Sequence, residues 1–222
     1  MSDVDVRVGD DPARACAQLL ADSHGHVVLT GGSTPKRAYE LAAELRADWS
    51  DVELWWGDER CVPPEDERSN YGLAQRSLLA RVERGPAAVH RIRGEEGAAR
   101  AADEYHRDLE GVALDVVLLG IGPDGHVASL YPDQPSLDVG DRRAIAADAK
   151  LEPFVERVTL TIPVLVSAPL VAFLVAGADK ADAVERAFGR PPARATPASL
   201  VRSKSGRTVA FLDREAAQRL AV

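Results

Sequence analysis

Short apolar runs rich in β-branched residues alternate along the chain with stretches whose apolar residues recur every three or four positions. The first pattern predicts strands and the second predicts amphipathic helices. The predicted strands are residues 4–8, 26–30, 52–56, 89–92, 114–119, 157–162, 170–175 and 208–212. The predicted helices are residues 11–22, 35–47, 70–81, 95–110, 179–188 and 214–221. This alternation indicates βαβ units, so we predict an α/β fold with a mostly parallel central sheet and helices on both faces, in a single domain spanning residues 1–222.

The fold predicted in this way indicates where a ligand binds. Residues 114–119 form a nearly unbroken apolar run, LDVVLL, which is typical of a central strand buried on both faces. In open α/β sheets, ligands bind beyond the carboxyl ends of the strands, where the chain turns into helices. Polar residues directly after strands are therefore the candidate functional residues. The loop-rich stretches 63–69 and 189–197 are too short to divide the chain and are candidates for the rim of a pocket.

The amino-acid composition argues against several classes of binding partner. The chain has a formal net charge of −8 and a pI near 5.2, and it has no basic tract, which argues against nucleic acid or an anionic membrane as partner. We expect no signal peptide, because the N-terminus is acidic, and no membrane span, because no apolar run approaches roughly 18–20 residues. Cys16 and Cys61 form no CxxC motif, which excludes a zinc site or a disulfide framework. We expect a cytoplasmic protein.

The segment HVVLTGGSTP ends a strand in two glycines and then begins a helix. Thr34 is predicted as the N-cap and Pro35 as the first helical residue. Gly31 and Gly32 allow the backbone to approach a ligand, and the free N–H groups of the helix N-terminus favour an anion. A tight strand–helix turn without a ligand explains this segment about as well.

The segment LWWGDER runs from an apolar strand directly into charged residues. Arg60 has the geometry to bind a phosphate with two parallel hydrogen bonds, and Asp58 is suited to orient a neighbour or a sugar hydroxyl. A surface ion pair is the structural alternative. Asn70, which follows Ser69, is interpreted by default as part of the first turn of the next helix.

The segment LLGIGPDGHVASLYP contains GxGxxG, which invites a dinucleotide-binding interpretation. Pro132 leaves room for only about two helical turns after Gly125, whereas a dinucleotide fold needs a full crossover helix there. We therefore reject the dinucleotide-binding interpretation. The segment instead places His126 on a glycine-rich turn after a buried strand, next to Asp124. Because the imidazole group titrates near neutral pH, His126 is a candidate general acid or base, with a structural role in the turn as the alternative.

The segment LVAFLVAGADKADAV ends a buried strand at Gly177, after which Asp179 is predicted to cap a helix. Lys180 shares one helical face with Val184 and Ala187. A cation at a helix N-terminus opposes the helix dipole unless an anion lies nearby. This favours, by a small margin, phosphate binding over a solvent-exposed lysine.

The chain resembles the 6-phosphogluconolactonase family, which is related to the glucosamine-6-phosphate deaminases, in four segments of matching order and spacing: TGGSTP, WWGDERCVPPEDERSNYG, LLGIGPDGHVASLYP and AGADKADAV. The resemblance implies a Rossmann-like α/β fold and hydrolysis of 6-phospho-D-glucono-1,5-lactone to 6-phosphogluconate in the oxidative pentose phosphate pathway, with no cofactor and no metal. It also implies that His126 is the catalytic base. It associates five residues with the substrate phosphate: Gly32, Ser33, Thr34, Arg60 and Lys180.

Combined with the chemistry of the residues, the resemblance defines the predicted site. The predicted catalytic residues are His126, Asp124 and Asp58, and the sequence leaves open which of the two carboxylates is the partner of the histidine. The predicted substrate-binding residues are Gly31, Gly32, Ser33, Thr34, Arg60, Asn70, Gly125 and Lys180. The predicted partner is a phosphorylated lactone, and we expect a monomer or a weak homodimer.

Two alternatives come from other functional classes. A glucosamine-6-phosphate deaminase or isomerase would carry an Asn-Glu-Pro element shortly after the same histidine, whereas residues 128–132 here are ASLYP. A non-catalytic sugar-phosphate sensor would normally carry a basic DNA-binding segment of about 50 further residues, for which this acidic chain has no room. Both features favour the lactonase.

Overall fold

The structure is a computed structural model that describes residues 4–150 and 152–220. The strands are β1 (Val4–Val8), β2 (Gly25–Leu29), β3 (Val52–Trp56), β4 (Asp58–Arg60), β5 (Ala88–Val89), β6 (Val116–Leu119), β7 (Ala144–Ala147), β8 (Arg157–Leu160), β9 (Leu170–Val175) and β10 (Arg207–Leu212). The α-helices are α1 (Pro12–Ala21), α2 (Ser33–Leu45), α3 (Asn70–Ala74), α4 (Ala98–Asp108), α5 (Ile162–Leu165), α6 (Ala181–Phe188) and α7 (Arg214–Ala217). Short 3₁₀ helices lie at Gly94–Glu96, Pro135–Asp138, Ala178–Lys180 and Pro197–Leu200. A short π-helix, Gln75–Leu79, directly follows α3.

Seven strands form a parallel central sheet in the order β1-β10-β9-β6-β2-β3-β5. Every residue of β6 is buried, and since alternate residues of a strand point to opposite faces, both faces of the sheet are covered. Helices α1 and α2 pack against each other, as do α6 and α7. The predicted α/β fold with a mostly parallel sheet is confirmed.

The order of the strands places a switch point between β2 and β6. The chain moves outward from β2 to β3 and β5, and then returns to β6 on the other side of β2. The two central strands pair only at Val27–Val116 and Val28–Val117, beyond which they separate. A crevice therefore opens at their carboxyl ends, where ligands bind in folds of this kind.

A second, antiparallel sheet in the order β4-β8-β7 lies outside the central one. The predicted strand 157–162 belongs to this small sheet, because Asp58–Arg60 leaves the end of β3 and pairs with it. Asp58 lies opposite Thr159, and Arg60 lies opposite Arg157. Opposed residues of an antiparallel pair point to the same face, so these four side chains share one face and Glu59 points to the other.

Two buried tyrosines hydrogen-bond the backbone at the carboxyl ends of β2 and β3. The Tyr39 hydroxyl accepts from the Thr30 N–H at 3.0 Å and donates to the Thr30 carbonyl at 2.6 Å. The Tyr105 hydroxyl does the same for Trp56, at 2.7 and 3.1 Å. Both bridged residues lie just before the chain segments that enter the crevice.

Two predicted helix starts differ from the structure. Gly32 has φ 107°, which glycine adopts without strain, so the chain turns there and α2 begins at Ser33. Thr34 is therefore inside the first turn and is not the N-cap. Asp179 does not cap a helix either, because it lies within a 3₁₀ turn that precedes α6.

The last predicted helix is shorter than expected. It spans Arg214–Ala217, and residue 221, to which the prediction extended, lies outside the described residues. Across residues 4–150 and 152–220, no helix combines the length and the apolar character needed to cross a membrane.

Candidate active site

A cavity of ≈ 560 Å³ fills the crevice between the separated strands. Its walls come from the turns after β2 and β6, from the start of α3, from the 3₁₀ turn after β9, and from the small sheet with its β7–β8 loop. Seven of the predicted site residues line it: Gly31, Gly32, Asp58, Arg60, Asn70, His126 and Lys180. The loops are far apart in sequence, and the fold brings them to one space whose volume is in the usual range for small-molecule sites.

His126 and Asp124 form a hydrogen-bonded pair on the turn after β6. The Nδ1 atom of His126 lies 2.6 Å from Oδ1 of Asp124, and the same oxygen accepts the backbone N–H of His126 at 3.1 Å. Because a carboxylate only accepts, Nδ1 carries the hydrogen and Nε2 is left as an acceptor. Burial raises the pKa of Asp124, but the hydrogen bond and the charge of His126 outweigh it and hold this pKa below its usual value. Asp124 is thus the carboxylate that contacts the histidine.

Gly122 packs directly against the imidazole ring of His126. A Cβ atom at this position would lie 2.0 Å from both Cε1 and Nδ1 of His126, so only glycine leaves space for the ring. The turn is closed by hydrogen bonds from the Gly122 N–H to the His126 carbonyl and from the Gly125 N–H to the Gly122 carbonyl, both 2.9 Å long.

Gly125 lies behind the turn and does not line the cavity. Its φ of 95° favours glycine, and a Cβ there would lie 2.9 Å from Cγ2 of Thr196. Its carbonyl accepts the Ala198 N–H at 3.0 Å. The stretch 189–197, a candidate for the rim, thus supports the turn of His126 from outside the cavity.

Asp58 is buried, with 5% of its surface exposed, and contacts neighbours other than His126. Its Oδ2 accepts from the Ser129 hydroxyl at 2.7 Å, and its Oδ1 accepts from the Asn70 amide at 3.1 Å. Asn70 also donates to the Asp58 backbone carbonyl at 2.8 Å. The carboxylate is fixed at the wall of the cavity, and Ser129 is a partner that sequence reasoning missed.

The cationic side of the cavity combines Arg60, Arg157 and Lys180. The two arginines lie directly opposite each other in the β4–β8 pair, where like charges repel each other. Arg157 is 4% exposed, and the Nε atom of Arg60 has no hydrogen-bond partner among the described residues. Cationic side chains grouped in this way can bind a negatively charged group.

The lining residues that the sequence did not assign to the site include Arg157, Glu152 and Phe154. Arg157 carried a signal, because it is the one charged residue of the predicted strand 157–162, RVTLTI. Glu152 and Phe154 lie in the loop between β7 and β8 and have no pattern that distinguishes them from other loop residues.

Ser33 and Thr34 line a neighbouring cavity of ≈ 410 Å³, together with Asp11 and Arg37. The turn at Gly32 directs the chain away from the first cavity, so the structure does not bring these two side chains to the other predicted residues.

His26 and His90 contact Trp55, and the two cysteines carry free thiols. His90 stacks on Trp55 at 3.8 Å between ring centroids, and Nδ1 of His26 accepts from the Trp55 indole at 3.1 Å. Cys16 is buried and Cys61 half-buried, both as free thiols. In the part of the chain that the structure describes, no group of three or more His, Cys, Asp or Glu side chains is arranged to hold a metal ion.

Comparisons with known proteins identify the family to which the chain belongs. Residues 5–210 match the family described as glucosamine-6-phosphate isomerases/6-phosphogluconolactonase. A protein of Haemophilus influenzae named 6-phosphogluconolactonase is 33% identical over 204 residues, covering 88% of this chain and 87% of its own. One of the same name from Streptomyces coelicolor is 36% identical, covering 87% and 81%. The crystal structure of the Thermotoga maritima 6-phosphogluconolactonase superposes with a TM-score of 0.80 at 29% identity, covering 95% of this chain and 99% of its own.

Proposed function

Since the chain belongs to the family of glucosamine-6-phosphate isomerases and 6-phosphogluconolactonases, we propose that it hydrolyses 6-phospho-D-glucono-1,5-lactone to 6-phosphogluconate, with His126 as general base. One observation carries the proposal: a carboxylate-oriented imidazole and a cationic wall line the same cavity. This arrangement supports a substrate with a hydrolysable carbonyl at one end and a phosphate at the other.

The reaction needs one proton to be moved twice. The Nε2 atom of neutral His126 takes a proton from water as the water oxygen attacks C1 of the lactone. The tetrahedral intermediate then breaks the bond between C1 and the ring oxygen, and the imidazolium returns the proton to that oxygen. Asp124 holds the ring orientation and stabilises the imidazolium. General-base catalysis of this kind contributes roughly 10²–10⁴-fold.

The cationic wall binds the phosphate in this proposal. Arg60, Arg157 and Lys180 supply the charge, and the glycine turn after β2 allows close backbone approach. Phosphate binding places C1 next to the water that His126 activates, and correct placement is itself a large part of catalysis. Asp58, held by Ser129 and Asn70, is positioned to accept a sugar hydroxyl.

A direct assay distinguishes the lactonase from the isomerase members of the family. Hydrolysis of the phosphorylated lactone, measured by acid release in a pH-stat, should be fast, and unphosphorylated glucono-1,5-lactone should be a much poorer substrate. Glucosamine 6-phosphate should release no ammonia, because residues 128–132 hold no carboxylate. Ammonia release, or equal turnover of both lactones, would refute the proposal.

We also propose a cytoplasmic enzyme that is a monomer or a weak homodimer. Both cysteines are free thiols, as is usual in a reducing compartment. Stable dimers bury apolar interfaces. Among the described residues, the large exposed apolar side chains are few: Val8, Leu45, Val89 and Phe154. Light scattering across a concentration series tests the oligomeric state.

A further inference from the structure

Glu59 is a buried carboxylate that the proposed mechanism does not use. It is 2% exposed and lies on the face of β4 that points away from the cavity. Its two neighbours in the strand, Asp58 and Arg60, both line the cavity from the other face. A charged group in such a place is costly, and an apolar side chain would satisfy the packing.

The surroundings of Glu59 are matched to a carboxylate. Oε1 accepts the backbone N–H groups of Arg60 at 2.7 Å and of Asn70 at 2.8 Å. Oε2 accepts the Tyr71 N–H at 2.7 Å and the Ser69 hydroxyl at 3.0 Å. A carboxylate offers about four acceptor positions and no donor, and here each position has a donor.

These four donors belong to two separate parts of the chain. The Arg60 N–H is in β4, whereas the other three come from the N-cap and first turn of α3. The carboxylate therefore joins the helix to the strand, and an anion at a helix N-terminus is also favoured by the helix dipole. Burial raises the pKa of Glu59 above its usual value, against the opposing effect of the hydrogen bonds.

We propose that Glu59 is a positioning residue for substrate binding, which fixes Arg60 and Asn70 relative to each other by joining β4 to α3. The choice of substrate in its test rests on the proposed function. The segment that carries His126 follows β6 and makes none of the four contacts with Glu59. Loss of the carboxylate should therefore weaken binding more than it slows the chemical step.

The test is Glu59→Gln, which keeps the size of the side chain but turns its NH₂ group towards at least one of the four donors. We expect KM for the phosphorylated lactone to rise about tenfold or more and kcat to stay within about threefold. Asp115→Asn is the matched control: its carboxylate accepts the His26 N–H at 2.8 Å at the opposite end of the sheet. Its KM and kcat should not change. An unchanged KM in folded Glu59→Gln, or equal effects on KM and kcat, would overturn the proposal.

A second variant tests the same proposal if the Glu59→Gln protein does not fold. Ser69→Ala removes one of the four hydrogen bonds, together with the N-cap hydrogen bond that the Gly72 N–H donates to the same hydroxyl at 2.9 Å, and we expect KM to rise about threefold. A folded Ser69→Ala protein with wild-type KM would contradict the role of Glu59. Titration with inorganic phosphate, followed by calorimetry, separates this proposal from the proposed function. Weaker phosphate binding by Glu59→Gln together with an inactive wild type would refute the lactonase and leave the role of Glu59 standing.

Discussion

Replacing Gly122 with alanine tests how closely the site holds its imidazole. The new Cβ would lie 2.0 Å from two atoms of the His126 ring, whereas ordinary contacts begin at 3.4 Å, so the ring must retreat by about 1.4 Å. A shift of that size breaks the 2.6 Å contact between Nδ1 and Asp124. Misplacement of a reacting group by about 1 Å costs roughly 10²-fold in rate. We expect kcat to fall about 100-fold with little change in KM.

The assay is hydrolysis of the phosphorylated lactone over a range of substrate concentrations. Gly57→Ala is the matched control, because Gly57 is a buried glycine that directly follows β3. Its Cβ would meet only ordinary contacts, the nearest at 3.6 Å from the Leu29 carbonyl oxygen. Neither glycine has a positive φ, so alanine fits both backbones. A Gly122→Ala enzyme with kcat within about threefold of wild type would refute the proposed position of the ring.

Three further predictions concern charge and protonation. Arg60→Ala should raise KM about tenfold or more with kcat largely retained, since a phosphate contact contributes equally to binding the ground state and the transition state; a fall in kcat alone would contradict this. Burial raises the pKa of Cys16 to about 12 and, with nearby carboxylates, that of Cys61 to about 11, so at pH 8 a thiol reagent should modify Cys61 slowly and Cys16 only after unfolding. Fast labelling of both in the native protein would refute it. The pKa of Asp124 lies below its ordinary 3.8, so its ionised form stabilises the fold above that pH, and this stabilisation is lost as the pH falls through the folded pKa. Asp124→Asn should therefore lose less stability than wild type on acidification, as followed by urea denaturation at several pH values, and an unchanged pH dependence would contradict it.

Much of the central sheet is predictable from the sequence because its strands are local apolar runs. The run at 114–119 marks a central strand, and β6 is buried on both faces as expected. The small sheet is not predictable in this way. Ala144–Ala147 and Asp58–Arg60 have no alternating apolar pattern, and each becomes a strand only because β8 pairs with it across a large separation in sequence.

The candidate site shows the same division. The glycine-rich turns identify His126, Gly31 and Gly32, because close backbone approach and a histidine after a strand are local features. Arg157 could not be assigned to the cavity, because its position opposite Arg60 depends on strand register. The choice between Asp58 and Asp124 as the histidine's partner likewise depends on tertiary distances.

The most direct test of the account is the rate of lactone hydrolysis by His126→Ala compared with wild type, measured in a pH-stat near neutral pH. If His126 is the general base, kcat should fall by about two or more orders of magnitude. Affinity for phosphate should stay close to that of wild type, because the cationic wall is formed by other residues. Turnover by the folded variant within a few-fold of wild type would contradict the proposed role of this imidazole in activating the water.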